Sequence, residues 1–220
     1  MNEETYDYRF MWLDDYNSHT LGPIQRDEAL FLYGLCKIVR PRIVLEIGCL
    51  IGQSLRVWIN ADVPYIYAVD CIISDKVKQL QRGYNIDSRY TQDRMLCYEQ
   101  DMKTPIDFVR GIPDLVFIDA SHELADNIAV VKNLVNVLEP GALIIFHDTG
   151  HWKQEHITKD RQWFLDSYGG KWDEELQAWA HCPDEKDTIK WVSENTVWQR
   201  LDLWTTVVPR CGLTVFQVPN

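Results

Sequence analysis

The 220-residue sequence predicts an α/β protein with a doubly wound, mostly parallel seven-stranded sheet that ends in an antiparallel hairpin. Three observations predict this fold. First, short apolar runs recur along the first two thirds of the chain, each with an acidic residue at or near its end. Second, segments that can be helical lie between these runs, and third, two β-rich runs close the chain. Alternating buried strands and amphipathic helices are typical of a parallel sheet with helices on both faces.

The first predicted element is a helix from Gln25 to Val39, where apolar residues recur at helical spacing until Arg40-Pro41 ends the pattern. Five predicted strands follow. They are 42–48 (RIVLEIG), 65–70 (YIYAVD), 95–101 (MLCYEQD), 114–120 (DLVFIDA) and 142–148 (ALIIFHD). Their apolar character predicts strands that are buried on both faces of the sheet.

The clearest helix between these strands covers 123–138, whose apolar residues share one face and which Pro140-Gly141 stops. The chain closes with two β-rich runs, 201–208 (LDLWTTVV) and 213–218 (LTVFQV), around a turn at 209–212. A short turn of this kind predicts an antiparallel hairpin on the sheet edge.

Composition limits the classes of partner. The formal net charge is −11 and the sequence has no cluster of lysine and arginine, so nucleic acid and anionic membrane surfaces are poor candidates. The six cysteines show neither a CxxC motif nor zinc-ligand spacing, which is typical of a reducing compartment. The acidic N-terminus lacks the apolar core of a signal peptide, and no apolar run is long enough to span a membrane. We therefore expect a cytoplasmic location.

The end of the first strand carries the most informative motif, Glu46-x-Gly48-x-x-x-Gly52. Glycines at the carboxyl end of a strand allow a tight turn and the close approach of a ligand to the main chain. The motif lacks the Gly-Lys-Ser/Thr ending of a phosphate-binding loop. It also has Leu50 where the dinucleotide fingerprint has its middle glycine, and Glu46 suits a cationic ligand better than a pyrophosphate.

This turn resembles motif I of the class I S-adenosylmethionine-dependent methyltransferases, whose fold is Rossmann-like. The resemblance implies that the turn binds the donor, with Gln53 and Ser54 just after it and Glu46 facing the positive methionine end. It also implies that Asp70 accepts both ribose hydroxyls, a pairing that suits a carboxylate. Gln100 and Asp101, at the end of the third run, would contact the adenine edge.

A second stretch, 113–150, resembles a narrower group of O-methyltransferases: the cephalosporin-hydroxylase-like and macrolide-sugar enzymes and, more distantly, catechol O-methyltransferase. The resemblance covers roughly 24–150 and the closing strand CGLTVFQ. It implies a divalent ion, usually magnesium, on Asp119 and on the pair His147-Asp148. It also implies that His122 is the general base, because a hydroxyl is a poor nucleophile until its proton leaves.

One position departs from the family pattern. The strand-five pair begins with His147 rather than an acid, and magnesium prefers oxygen ligands. Asp119, His147 and Asp148 together would suit manganese, iron or zinc better than magnesium. Two alternatives stay open: His147 points away from the ion, or the site binds no metal.

We interpret 1–220 as one methyltransferase domain. Its predicted parts are an N-terminal aromatic segment (1–24), a donor-binding core (25–150), a Trp-rich acceptor or lid region (151–200) and an edge hairpin (201–220). Aromatic-lined pockets bind small organic molecules, and Trp152 and His151 are therefore the candidate substrate-facing residues.

The predicted function is transfer of a methyl group from S-adenosylmethionine to a hydroxyl of a small molecule such as a sugar, a phenol or a secondary-metabolite intermediate. Two alternatives stay open on the same fold: a nicotinamide-dependent oxidoreductase and a non-catalytic nucleotide-binding protein. The expected partner is the small-molecule acceptor, and we expect binding to neither nucleic acid nor membranes. Whether the protein forms a homo-oligomer stays open.

Overall fold

The computed structural model describes residues 24–86, 92–203 and 211–220. Except for Ile24, the predicted N-terminal aromatic segment lies outside these residues, and so do residues 204–210, which include the first half of the predicted hairpin turn. The helices are α1 (Arg26–Val39), α2 (Gln53–Asn60), α3 (Asp75–Asn85), α4 (Leu124–Leu134), α5 (Lys159–Ser167) and α6 (Pro183–Asn195), with a short 3-10 helix at Gln154–His156. The strands are β1 (Ile43–Ile47), β2 (Tyr65–Asp70), β3 (Met95–Glu99), β4 (Leu115–Ile118), β5 (Leu143–His147), β6 (His151–Trp152), β7 (Lys171–Asp173), β8 (Ala178–Ala180), β9 (Gln199–Leu203) and β10 (Leu213–Gln217).

The main sheet has seven strands in the order β3-β2-β1-β4-β5-β10-β9. Strands β1 to β5 are parallel, and β10 is antiparallel to both of its neighbours, β5 and β9. This confirms the predicted fold class. The strand at the sheet edge is β9, whereas β10 is inserted beside β5 and is buried along most of its length.

Strand order reverses between β1 and β4. The chain runs outward from β1 to β2 and β3, then returns to place β4 on the other side of β1. In open α/β sheets ligands bind beyond the carboxyl ends of the strands at such a reversal. The fold therefore directs the search for a site to the loops after β1, β2, β4 and β5.

Helices cover both faces of the sheet. Successive residues of β1 point to opposite faces, so Val44 packs with residues of α1, α2 and α3 while Leu45 packs with residues of α4 and α6. Both side chains are completely buried. Burying apolar side chains on both faces stabilises the sheet by roughly 25 cal/mol per Å² removed from water. In the described part of the chain, no helix combines the length and apolar character needed to cross a membrane.

The predicted helix at 123–138 is shorter in the structure. Helix α4 ends at Leu134, and the chain continues in turns in which the N–H of Val137 donates to the carbonyl of Leu134. The apolar face continues to Leu138, which is buried, so periodicity alone extended the helix by one turn too many.

The region after β5 forms a unit that the sequence pattern did not predict. Strands β6, β8 and β7 make a small antiparallel sheet. Along the chain α5 lies between β6 and β7, and α6 follows β8; we call residues 151–195 the Trp-rich unit. Trp152, Phe164, Leu165 and Cys182 form its separate apolar cluster. Helix α6 packs against α4, which joins this unit to the main sheet.

Candidate active site

The turn after β1 lies against the end of β4. Gly48 has φ +89°, and a Cβ built on it would lie 1.8 Å from the carbonyl oxygen of Asp119. Gly52 has φ +79° and precedes α2, and a Cβ there would lie 2.7 Å from the Cδ1 of Leu80. The tight turn that the glycines predict is therefore present. At both glycines, however, the atoms that come close belong to the protein itself and not to a ligand.

Asp70, at the end of β2, organises the same turn. Its Oδ2 accepts hydrogen bonds from the backbone N–H groups of Cys49 (2.8 Å) and Leu50 (2.9 Å), and its Oδ1 accepts one from Ile72 (3.2 Å). Burial works to raise the pKa of Asp70, but the backbone hydrogen bonds from Leu50, Cys49 and Ile72 outweigh it, so the pKa lies below its usual value. In this structure Asp70 is an ionised carboxylate that holds the β1–α2 turn.

Glu46 is completely buried in β1 and is bound by the helix that follows. Its Oε1 accepts from the Ser54 hydroxyl (2.7 Å) and its Oε2 accepts from the indole N–H of Trp58. Burial raises the pKa of Glu46 to about 8, even though these two hydrogen bonds lower it. The structure therefore uses Glu46 and Ser54 to join β1 to α2, and their contact with a donor stays a prediction.

The remaining predicted donor residues lie around the same loops. Gln53 begins α2. Gln100 donates from its Nε2 to the carbonyl of Thr104 (3.1 Å), and Asp101 is exposed and accepts from the N–H of Lys103 (2.8 Å). Two large apolar side chains, Leu50 and Ile72, are exposed by 68% and 70% beside Asp70. The carboxyl ends of β1 and β2 thus present an apolar rim next to a carboxylate.

The ends of β4 and β5 bring the predicted metal ligands together. His147 Nδ1 lies 3.2 Å from Asp119 Oδ1 and 3.5 Å from Asp148 Oδ1. On the other side of the ring, Nε2 lies 3.1 Å from Glu28 Oε2, whose carboxylate also accepts from the N–H groups of Gln25 and Gly212. Because Glu28 accepts on that side, Nε2 carries a proton and Nδ1 faces the two aspartates.

His122 approaches Asp119 and Asp148 from the other side. Its Nε2 lies 3.5 Å from Asp148 Oδ2 and 3.9 Å from Asp119 Oδ1, and its Nδ1 lies 3.0 Å from Glu185 Oε1. Burial lowers the pKa of His122, but the hydrogen bond with Glu185 and the charges of Asp148 and Asp119 outweigh it and raise the pKa to about 9. We call Glu28, Asp119, His122, His147, Asp148 and Glu185 the acid–histidine cluster.

Backbone strain coincides with this cluster. His122 has φ +56° and Asp148 has φ +57°, a region that side-chain-bearing residues rarely adopt, and Leu50 has φ +44° in the turn after β1. All three follow the carboxyl end of a parallel strand. Strained backbone of this kind concentrates at active sites, where the surrounding structure holds it in place.

Several residues of the site were not predicted from the sequence. Glu28 comes from α1, and Glu185 and His181 come from the Trp-rich unit; His181 donates from Nδ1 to the carbonyl of Gly150 (2.9 Å) and its Nε2 lies 3.4 Å from Asp148 Oδ1. Two cysteines also approach. Among the described residues, two groups of three side chains have potential metal-ligand atoms that all lie within 4.8 Å of one another. One group is His122, Asp148 and Cys182, and the other is His147, Asp148 and Cys211. Only Glu28 had a local signal, because it follows a helix start by three residues.

The structure does not support substrate-facing roles for Trp152 and His151. Trp152 is completely buried, and its ring stacks on that of His181 with centroids 4.4 Å apart and planes 3° apart. His151 is 3% exposed, and its Nε2 lies 3.5 Å from Asp173 Oδ2. A strand that pairs inside the small sheet buries both side chains, which the sequence alone did not indicate.

A pocket of about 390 Å³ lies elsewhere, among Arg42, Asp114, Leu143 and their neighbours, at the amino ends of β1, β4 and β5. It is at the opposite edge of the sheet from the acid–histidine cluster. Its lining contains neither histidine nor cysteine. We therefore assign the candidate chemistry to the carboxyl-end loops.

Comparison with known proteins bears on the kind of domain. Residues 45–149 match the family model of a methyltransferase domain. The search of curated proteins found no match. The fold is shared with cofactor-bound Rv0187 from MTB (20% identity, TM-score 0.62, 96% of this chain and 88% of that chain) and with the SAH-bound methyltransferase PaMTH1 from Podospora anserina (15%, 0.62, 96% and 86%).

A third similar structure is an O-methyltransferase from Bacillus cereus in complex with SAH, at 16% identity and a TM-score of 0.58, with 90% of this chain and 84% of that chain covered. These likenesses show the shared fold, and the family-model match covers residues 45–149, just under half of the chain. Residues 45–149 are thus similar to a methyltransferase domain, and the fold is one that S-adenosylmethionine-dependent methyltransferases share, in agreement with the predicted family.

Proposed function

We propose that the protein transfers a methyl group from S-adenosylmethionine to a hydroxyl oxygen of a small molecule. One observation carries the proposal: the acid–histidine cluster lies directly beside the turn after β1, with Gly48 packed on the backbone of Asp119. A donor held by that turn has its reactive end next to groups that can hold a hydroxyl and accept its proton.

The donor pocket is supported by the loops after β1 and β2. When bound, S-adenosylmethionine supplies a methyl group on a positively charged sulfur. The ionised carboxylate of Asp70 offers acceptors for a pair of ribose hydroxyls, and the exposed side chains of Leu50 and Ile72 offer apolar surface for the base. Ribose hydroxyls bound at Asp70 would share the carboxylate with the backbone donors that hold the turn, or replace one of them.

Acceptor activation falls to His122 and Asp119. The Nε2 of His122 points toward the space beside Asp119 and Asp148, within reach of a hydroxyl placed between them. His122 acts as the general base once its own proton has left, because only the neutral ring has a lone pair to accept with. Asp119 holds the acceptor oxygen.

A divalent metal fits the same cluster. The buried atoms His147 Nδ1 and Asp148 Oδ2 have close ionic contacts but no hydrogen bond of normal geometry, which is uncommon for buried polar atoms. Glu28 holds the other nitrogen of His147, as carboxylates commonly do for a metal-bound imidazole. His147, Asp119 and Asp148 would hold the ion, which would polarise the acceptor hydroxyl. An imidazole ligand suits manganese, iron or zinc better than magnesium.

Electrostatics limits the charge of the acceptor. Four carboxylates surround the two imidazole rings of the acid–histidine cluster, and the whole chain carries a formal charge of −11. Both features disfavour a polyanionic acceptor. A nicotinamide-dependent reaction has less support, because Leu50 occupies the middle-glycine position and Glu46 is buried rather than open to a nucleotide.

Two measurements test the proposal. Calorimetric titration with S-adenosylmethionine and with NAD separates the donor classes, and we expect binding of the first only. Formation of S-adenosylhomocysteine is then followed with a panel of phenols and sugars. Binding of NAD without S-adenosylmethionine would overturn the donor assignment. Methylation of amines but not of hydroxyls would overturn the acceptor class.

A further inference from the structure

Glu185 is a buried carboxylate that the Trp-rich unit places against His122. It lies in the first turn of α6 and is 2% exposed. Its Oε1 is 3.0 Å from His122 Nδ1 and also accepts from the side-chain N–H of Asn127 at 3.0 Å. A buried carboxylate in contact with a histidine can determine which ring nitrogen carries the proton.

The surrounding hydrogen bonds define the direction of each contact. The Thr188 hydroxyl donates to the backbone carbonyl of Asp184 (2.8 Å), so its oxygen is left to accept from Asn127 Nδ2 (3.4 Å). The amide nitrogen of Asn127 therefore faces both Thr188 and Glu185. An ionised carboxylate offers only acceptors, so Glu185 accepts from both Asn127 Nδ2 and His122 Nδ1. The contacts of His122 Nε2 with Asp148 (3.5 Å) and Asp119 (3.9 Å) are longer, so the geometry favours the proton on Nδ1.

We propose that Glu185 is a positioning residue that holds the neutral ring of His122 as the Nδ1–H tautomer, with the lone pair of Nε2 directed at Asp119 and Asp148. The inference rests on the proposed O-methyltransferase function and on the base role of His122. It gives the Trp-rich unit a part in the reaction: a residue of α6 orients a base that follows β4. The opposite tautomer would leave a proton on Nε2 and no acceptor facing the substrate hydroxyl.

The competing role for Glu185 is purely structural. Its bonds to Asn127 and His122 also join α6 to α4 and to the loop before α4, so a substitution could lower activity by loosening this contact. The tautomer of His122 separates the two roles, because a loosened contact between α6 and α4 would not by itself place the proton on a particular ring nitrogen. Asp184 offers a matched control: it lies one residue earlier in α6, and its carboxylate accepts from the N–H of Leu124 rather than from His122 (3.1 Å).

The test compares Glu185→Gln, Glu185→Leu and Asp184→Asn with the unmodified protein. Proteins labelled with ¹⁵N-histidine are titrated by NMR across the pKa of His122, and His122→Asn assigns the signals. We expect Nδ1–H for the neutral ring of the unmodified protein, of Glu185→Gln, whose amide oxygen can still accept, and of Asp184→Asn. We expect a mixture of tautomers for Glu185→Leu.

Kinetics completes the experiment. We expect kcat of Glu185→Leu to fall on the order of 10²-fold, within the range of general-base catalysis, with unchanged affinity for S-adenosylmethionine. Glu185→Gln should retain most of kcat, and Asp184→Asn should match the unmodified protein. An Nε2–H ring in the unmodified protein, or an unaltered tautomer in Glu185→Leu, overturns the proposal. A protein that neither binds S-adenosylmethionine nor turns over would overturn the function instead, because the tautomer is read without turnover.

Discussion

Gly48 and Asp119 come so close that a methyl group on the glycine would lie 1.8 Å from the aspartate carbonyl oxygen. Atoms at that distance overlap, and φ +89° adds strain for any residue with a Cβ. This contact lies between two predicted binding segments. Gly48 belongs to the turn that is predicted to bind the donor, and Asp119 belongs to the strand end that is predicted to bind the acceptor. A change at Gly48 should therefore disturb both functions.

We expect Gly48→Ala to destabilise the fold strongly, on the order of 3 kcal/mol or more, or to prevent folding, because backbone at both ends of the contact must move. Gly34→Ala is the control, since its added Cβ meets nothing within 4 Å and Gly34 lies inside α1. That control should gain roughly 0.5–1 kcal/mol from helix propensity. Urea unfolding measures both, and a Gly48→Ala protein as stable as the unmodified one would contradict the observed packing.

Glu46 provides the second prediction. An isosteric Glu46→Gln change should keep the fold and leave affinity for S-adenosylmethionine within a few-fold, since burial already raises the pKa of Glu46 to about 8 and its oxygens bind Ser54 and Trp58. Glu46→Leu should destabilise the protein, because the indole N–H of Trp58 is then buried without an acceptor. Calorimetry with the donor checks the first variant. A large loss of affinity in Glu46→Gln would restore the predicted contact with the methionine end.

The third prediction concerns Asp70. In Asp70→Asn an amide NH₂ replaces one carboxylate oxygen and faces a backbone N–H of Cys49, Leu50 or Ile72, where two donors repel. We expect affinity for S-adenosylmethionine to fall at least tenfold, as one buried charge-assisted contact is worth roughly 1.5–3 kcal/mol. Asp75→Asn, at an exposed position in the first turn of α3, is the control. Equal affinities in the two variants would exclude Asp70 from the donor site.

Metal removal is the fourth test. We expect a chelator to abolish turnover while leaving donor binding intact, and manganese, iron or zinc to restore turnover better than magnesium. Asp119→Asn should mimic the chelator and should also lose the thermal stabilisation that added metal gives. Asp187→Asn removes an exposed carboxylate of α6 outside the proposed site and is the control. Full activity in chelator would remove the metal from the proposed reaction.

The fifth prediction follows from the raised pKa of His122, about 9 against an ordinary value of 6.5. A raised pKa means that the folded protein holds the proton more tightly, so the stabilisation is complete below about pH 6.5 and is lost as pH rises through 9. In metal-free protein, the stability advantage of the unmodified chain over His122→Asn should shrink across this window. Urea unfolding at several pH values measures it. A constant difference from pH 6 to pH 10 would mean that the ion pairs of His122 contribute nothing.

The sequence predicts those features that depend on interactions between residues close together in the chain, and it misses those that depend on contacts between distant residues. The five parallel strands, α1 and the closing β10 follow from local periodicity and from the residues that stop each element. The Trp-rich unit was missed because its strands have only two or three residues, too few for any alternation to be detected. The same short strands bury Trp152 and His151, which as isolated residues looked accessible.

The site was predicted unevenly for the same reason. Asp70, Asp119, His147 and Asp148 follow parallel strands, and parallel strands must bring their carboxyl ends to one edge, so sequence order alone indicates that they are neighbours. No such rule applies to Glu28 or Glu185, which lie 119 and 63 residues from the histidines that they contact. Helix packing decides those contacts.

The sequence by itself determined the sheet, its direction of winding and the edge at which polar side chains gather, because these depend on the short-range pattern of apolar and polar residues. Only the tertiary structure decided what each of those side chains faces. It turned Gly48 toward the backbone of Asp119 and gave each of the two histidines a buried carboxylate partner. Such contacts form when distant elements pack, and neither the spacing nor the type of the residues encodes them locally.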